Sequence, residues 1–164
     1  MYSLDSYNSF VNNLNQISLT TGCTSNYSLS KLIGVNYNTL RGWMANSRSP
    51  KLSTLDLVAD RLGVNTSDLL NPNYCYKSTK DKKHNKSAVN FRRNLQKAFI
   101  ASDRTSWQSR EALLFGLISV DSLKSFFRKE NYRSPSLTQL DSIASALGVK
   151  PYELISEEFV YERS

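Results

Sequence analysis

Residues 48–70 read RSPKLSTLDLVADRLGVNTSDLL, and residues 133–155 read RSPSLTQLDSIASALGVKPYELI; the two agree at 11 of 23 positions without a gap. An internal repeat of this kind decides the organisation before any element is assigned. Upstream, the identity fades but the apolar skeleton persists. Phe10 and Leu14 answer to Phe91 and Leu95 at an offset of 81, and Leu40 and Trp43 answer to Leu123 and Phe126 at an offset of 83. The offset reaches 85 in the matched segment, so the connecting loops differ in length. Three segments follow: a first domain over residues 1–72, a lysine-rich linker over 73–90, and a divergent second domain over 91–164.

Composition sets the class. In 164 residues, 40% are hydrophobic and 11% aromatic, which is enough apolar surface for packed cores and too much for a disordered chain. The opening MYSLDSYNSF has neither a basic start nor an apolar run, and no stretch approaches the ~18 apolar residues of a membrane span, so no membrane association and a cytoplasmic location are expected. Cys23, Cys75 and the lone His84 cannot make a four-ligand zinc site and are read as free thiols and a linker side chain. No metal and no cofactor are expected. The net charge is +7 with a pI of about 9.5, which permits a polyanionic partner. By segment the balance is +1, +4 and +2, the middle being the most basic.

The pattern predicts an all-α chain. Leu4, Tyr7, Phe10, Val11, Leu14 and Ile17 recur at three- and four-residue steps, as on one face of an amphipathic helix. Asn26 or Ser28 can open a second helix through Leu29, Leu32 and Ile33, with Gly34 giving the backbone a sharp turn. Asn36 can cap a third, which turns Leu40 and Trp43 inward. Pro50 stops continuation, and Ser53 with Asp56 resembles a capping pair that opens a fourth helix ending at Gly63; Ser136, Gln139 and Gly148 repeat it. Short fifth helices are expected at 66–70 and at 151–155, where Pro151 suits a first turn. Each domain thus reads as five helices.

The stretch LSKLIGVNYNTLRGWMANSRSPKLSTLDLVADRLGVNTSDLL resembles the lambda-repressor-like, Cro/CI or XRE-type helix-turn-helix family in the order and spacing of these features. The resemblance covers residues 4–71; in the second copy it is firm over 123–155 and loose over 91–121. It implies that residues 36–44 form a recognition helix whose start enters the major groove. Asn36, Tyr37, Asn38 and Thr39 then meet base edges: asparagine pairs with adenine through two hydrogen bonds, and tyrosine offers a hydroxyl and a ring edge. Arg41 reaches phosphate or base, and Asn26 and Ser28 stand where the family opens helix 2 with a phosphate contact. Arg48 and Lys51, with free N–H groups at the start of helix 4, form a second phosphate clamp. Trp43 is core.

The second copy departs from the pattern. Leu117 falls where the family favours a turn glycine, and Asp121 replaces Asn38; a carboxylate there repels phosphate although it can accept from cytosine. This copy either reads DNA differently, contacts backbone through Arg128, Lys129 and Arg133, or docks a protein. Lys77, Lys80, Lys82, Lys83 and Lys86 either track phosphates or solubilise the linker. As a coil, that linker spans roughly 20–25 Å and stretches to roughly 55 Å, so packed and separated halves are both reachable. The tail SEEFVYERS either seals the second core or supports dimerisation. No nucleophile, base and orienting residue come together in the pattern, so catalysis is not expected. The expected function is a sequence-specific regulator of transcription on double-stranded DNA, a phage or mobile-element repressor. It would act as an intramolecular pseudo-dimer or as one protomer of a homodimer. The other class left open is an inhibitory or antitoxin-like module that turns its second domain on a protein partner.

Overall fold

The computed structural model describes residues 5–77, 79 and 82–162, which form ten helices. In chain order these are α1 (Asp5–Thr21), α2 (Asn26–Ile33), α3 (Tyr37–Met44), α4 (Leu52–Leu62), α5 (Thr66–Leu69), α6 (Ser87–Ala101), α7 (Trp107–Leu113), α8 (Val120–Phe126), α9 (Leu137–Leu147) and α10 (Pro151–Leu154). Among the described residues there is no strand, and no helix is long and apolar enough to cross a membrane. Leu4 and Lys80 lie outside the described residues.

Local chemistry sets most helix ends. Ser25 caps α2 in a reciprocal box with Ser28, one residue before the expected start, so Asn26 is the first helical residue and not the cap. Gly34, Gly63 and Gly148 end α2, α4 and α9 with φ of 76°, 70° and 71°, where a side chain would be strained. Ser136 and Gln139 close a capping box on α9, whereas Ser53 and Asp56 do not cap α4. The α4 cap is Lys51, which makes no side-chain cap bond. The short fifth helices end at Leu69 and Leu154, with Leu70 and Ile155 as the caps beyond them.

The two halves contribute matching contacts to one continuous core. Phe10 and Trp43 meet edge to face at 5.6 Å, and Phe91 and Phe126 do so at 5.5 Å. The Asn13 amide donates to the carbonyls of Leu69 (2.9 Å) and Asn71 (3.0 Å), and Asn94 repeats this on Leu154 (2.9 Å) and Ser156 (2.8 Å). These bonds tie α1 and α6 to carbonyls at and just beyond the ends of α5 and α10. In the tail, Phe159 is buried in the core and stacks on Tyr161.

The halves are joined by backbone pairing. Lys51 and Ser136 form an isolated antiparallel bridge: Leu52 N donates to the Pro135 carbonyl (3.0 Å), and Leu137 N donates to the Pro50 carbonyl (2.9 Å). Ser53 N donates to Ser134 Oγ (2.9 Å), and Thr138 N to Ser49 Oγ (3.2 Å). Every one of these bonds maps onto its partner by the 85-residue offset of the repeat, so the seam carries a local two-fold axis between Lys51 and Ser136. On either side, α4 packs on α6 and α9 packs on α1. Asp56 is buried there and accepts from Thr66 Oγ1 (2.7 Å), from Ser87 N (3.2 Å) and from the Ser87 hydroxyl. Asp141 Oδ1, at the same offset of 85 from Asp56, accepts from Ser6 N at 3.3 Å.

The basic segment between the halves is anchored at both ends. Tyr76 N donates to Gln16 Oε1 (3.1 Å), and the Asn85 amide donates to Asp60 Oδ1 and to the Val64 carbonyl, both at 2.8 Å. Helix α6 begins at Ser87, inside the stretch read as coil, because Asp56 across the seam takes the N–H and hydroxyl of its first residue. The halves are packed together, the first of the two arrangements that the linker length allows. Lys77, Lys82 and Lys86 are exposed and Lys83 is half-buried.

Candidate nucleic-acid interface

Helices α2 and α3 and the turn between them build one surface. The turn is tight because Gly34 stands at φ 76° and donates its N–H to the Ser30 carbonyl (2.9 Å). A side chain is excluded there twice over: a Cβ on Gly34 would lie 2.8 Å from Arg61 Cδ. Arg61 cannot easily move aside, since its Nε donates to the Leu32 carbonyl (2.9 Å) and its Nη2 to the Lys31 carbonyl (3.3 Å). Arg61, on α4, thereby holds the last turn of α2.

Helix α3 is fixed from beneath. Leu40 and Trp43 are buried, as expected, and the Tyr7 hydroxyl on α1 donates to the Trp43 carbonyl. Burial raises the Tyr7 phenol above its ordinary range, partly offset by a hydrogen bond with the Asn46 backbone. Gly42 is buried under Arg48, with 2.9 Å from its would-be Cβ to Arg48 Cδ, so the Arg48 stem crosses the end of α3.

The outward side of α2 and α3 carries aromatic, cationic and amide groups. Tyr27 and Tyr37 are 56% and 40% exposed, and their rings meet edge to face at 6.2 Å. Lys31 Nζ stands 4.6 Å from the Tyr27 ring centre, and the Arg41 guanidinium 5.6 Å from that of Tyr37. Asn38 is exposed, and its side-chain amide has no hydrogen-bond partner among the described residues. No carboxylate occurs in sequence between Asp5 and Asp56, whereas Lys31, Arg41, Arg48 and Lys51 do. Such a surface can bind phosphate, stack on sugar and base edges, and donate and accept in a groove.

The expected site residues divide on this geometry. Asn26, Tyr37, Asn38 and Arg41 are exposed; Thr39 is half-buried, and so is Ser28, whose hydroxyl is held by the Ser25 cap. Asn36 caps α3 through Oδ1, which accepts from Asn38 N at 2.8 Å. That bond ties Asn36 to its own helix through one lone pair of Oδ1, whereas both amide atoms of Asn38 are without a hydrogen bond among the described residues. One part of the phosphate clamp expected at the start of α4 is corrected: the N–H groups of Leu52 and Ser53 are not free but donate to Pro135 and Ser134. Arg48 and Lys51 remain exposed without that support. Tyr27 and Lys31 were missed, although their i, i+4 spacing off the apolar face of Leu29, Leu32 and Ile33 is a readable signal.

The corresponding surface of the second half is different. Arg128, Lys129 and Arg133 are exposed, and Arg133 N donates to the Ser125 carbonyl (2.9 Å) as Arg48 N does to Gly42 (3.2 Å). The turn after α7 does contain a glycine, one position before Leu117: Gly116 stands at φ 68° beside Phe115 at φ 55°. Phe115 and Leu117 are 76% and 47% exposed. Among the described residues no cluster of three or more His, Cys, Asp or Glu side chains is placed to hold a metal ion, and Cys23 and Cys75 are free. No protein-family model, curated protein or solved structure matches the chain.

Proposed function

We propose that the chain is a sequence-specific regulator of transcription that binds double-stranded DNA, of the phage or mobile-element repressor type. In this reading α1–α5 and α6–α10 are two tandem helix-turn-helix domains, joined at their seam as an intramolecular pseudo-dimer. The observation that carries it is the α2–α3 surface, where exposed Tyr27, Lys31, Tyr37, Asn38 and Arg41 converge in a stretch without a carboxylate. Helix α3 is the reading element, with Tyr37 and Asn38 on base edges. Lys31, Arg41 and Arg48 neutralise phosphates on either side of it. Since the two-fold seam uses the surface at the starts of α4 and α9, a second chain is not needed to make a dimeric architecture. The protein is a binder rather than a catalyst.

The experiment is a binding titration of the whole chain against selected duplex DNA at several salt concentrations. Affinity should fall linearly with the logarithm of salt, and Tyr37→Ala with Asn38→Ala should abolish preference for the selected sequence while the protein stays folded. Binding that is indifferent to salt and to that pair would overturn the reading. A second reading, an inhibitory or antitoxin-like module with a protein partner, draws on Phe115 and Leu117, two large apolar side chains left exposed on one turn.

A further inference from the structure

We infer that the two heads are not equivalent: only α3 reads sequence, and Glu111 with Asp121 closes the second head against a duplex. The inference rests on the proposed DNA-binding reading and specifies how it is divided within one chain.

Glu111 Oε2 accepts a hydrogen bond from Val120 N at 2.9 Å, so a carboxylate from α7 stands on the first residue of α8. Asp121 adds a second carboxylate in the same turn. The capping serines Ser25 and Ser106 open α2 and α7 and align the two heads at an offset of 81, which pairs Glu111 with Ser30. Ser30 is buried and donates its hydroxyl to the Tyr27 carbonyl (2.7 Å) within α2, leaving the start of α3 free of charge. By the same offset Gln108 replaces Tyr27 and Ala112 replaces Lys31; at 83, Val120 replaces Tyr37 and Asp121 replaces Asn38. The two tyrosines, the Lys31 cation and the Asn38 amide are therefore lost and two anions take their place, while Lys124 keeps the position of Arg41.

The intervening turn works in the same direction. Three residues, 34–36, separate α2 from α3, whereas six, 114–119, separate α7 from α8. The longer turn lets Phe115 and Leu117 stand out beside α8. A phosphate approaching the start of α8 along the path open at α3 meets carboxylates and apolar surface in place of the Asn38 amide and the tyrosines, with Lys124 one turn further on where α3 has Arg41. Arg128, Lys129 and Arg133 lie beyond the far end of α8, where they can hold phosphates without base contact.

The test is selection of binding sites from random duplexes by the whole chain, followed by titrations with Asp121→Asn and with Glu111→Ser, Asp121→Asn. The expected site is one short element without two-fold symmetry and without a second conserved element about 10 base pairs away. Both variants should tighten binding to that site, the pair by between about 2-fold and 30-fold, as removal of one exposed and one half-buried like charge implies. Asp121→Asn keeps the Glu111 hydrogen bond and so reports even if the pair is poorly folded. A two-part symmetric site overturns the inference and leaves the DNA-binding reading intact. A single-element site whose affinity neither variant changes also overturns it, and no binding to any duplex overturns both.

Discussion

Leu52 N donates to the carbonyl of Pro135, 83 residues away, and Leu137 N returns the same bond to Pro50. This reciprocal pair sets the start of α4 against the start of α9 and gives the first turn of each helix partners that neither finds in its own half. It also explains why the α4 N–H groups expected to support Arg48 and Lys51 on a phosphate are not available.

Because Asp56 accepts from Thr66 in its own half and Ser87 in the other, Asp56→Ala should leave several buried donors unpaired and cost about 2–4 kcal/mol. Urea unfolding of the variant should show a lower midpoint. Cleavage between residues 77 and 87 by a lysine-specific protease should also be faster, as the second half loosens from the first.

Gly34→Ala meets both a left-handed backbone and the pinned Arg61 stem, whereas Gly148→Ala meets the backbone penalty alone, with nothing within 4 Å of its would-be Cβ. Thermal melts should show a loss of about 1 kcal/mol for Gly148→Ala and about 2–3 kcal/mol for Gly34→Ala. Equal losses would mean that Arg61 yields freely.

Lys31→Ala and Arg41→Ala each remove one cation from the α2–α3 surface. Plotted as log affinity against log salt, each should make the slope shallower by about 0.9, one phosphate's worth, with little change in base preference. Lys97→Ala, on the exposed side of α6, serves as the control that leaves the slope unchanged.

Burial raises the Tyr7 phenol, and burial with the nearby Asp68 charge raises Tyr74. A folded-state value above the unfolded one means the native state holds its proton longer. The stability these groups contribute is complete below pH ~10 and is lost as pH climbs toward their native values. Denaturation midpoints should be level up to pH ~10 with respect to these groups and fall above it, and Tyr7→Phe should flatten part of that fall. An unchanged alkaline slope in Tyr7→Phe would remove Tyr7 from the account.

How much of this was legible beforehand depends on the range of the interaction concerned. The apolar steps from Tyr7 to Ile17, the buried Leu40 and Trp43, the glycine ends at Gly34, Gly63 and Gly148, and the Ser136–Gln139 box all act within one or two helical turns. Residue order alone therefore determines them, and the repeat determines that there are two such sets. Ser53 and Asp56 carry a local pattern similar to that of Ser136 and Gln139 yet do something else, because a carboxylate offered Thr66 and Ser87 gains more by bonding them than by folding back on its own helix. The seam at Lys51 and Ser136, the grip of Arg61 under Gly34, the anchoring of Asn85 and the reach of Glu111 to Val120 were decided by tertiary structure. Each joins groups whose approach is set by how whole apolar faces pack, and such packing leaves no periodic trace in the residues that finally touch.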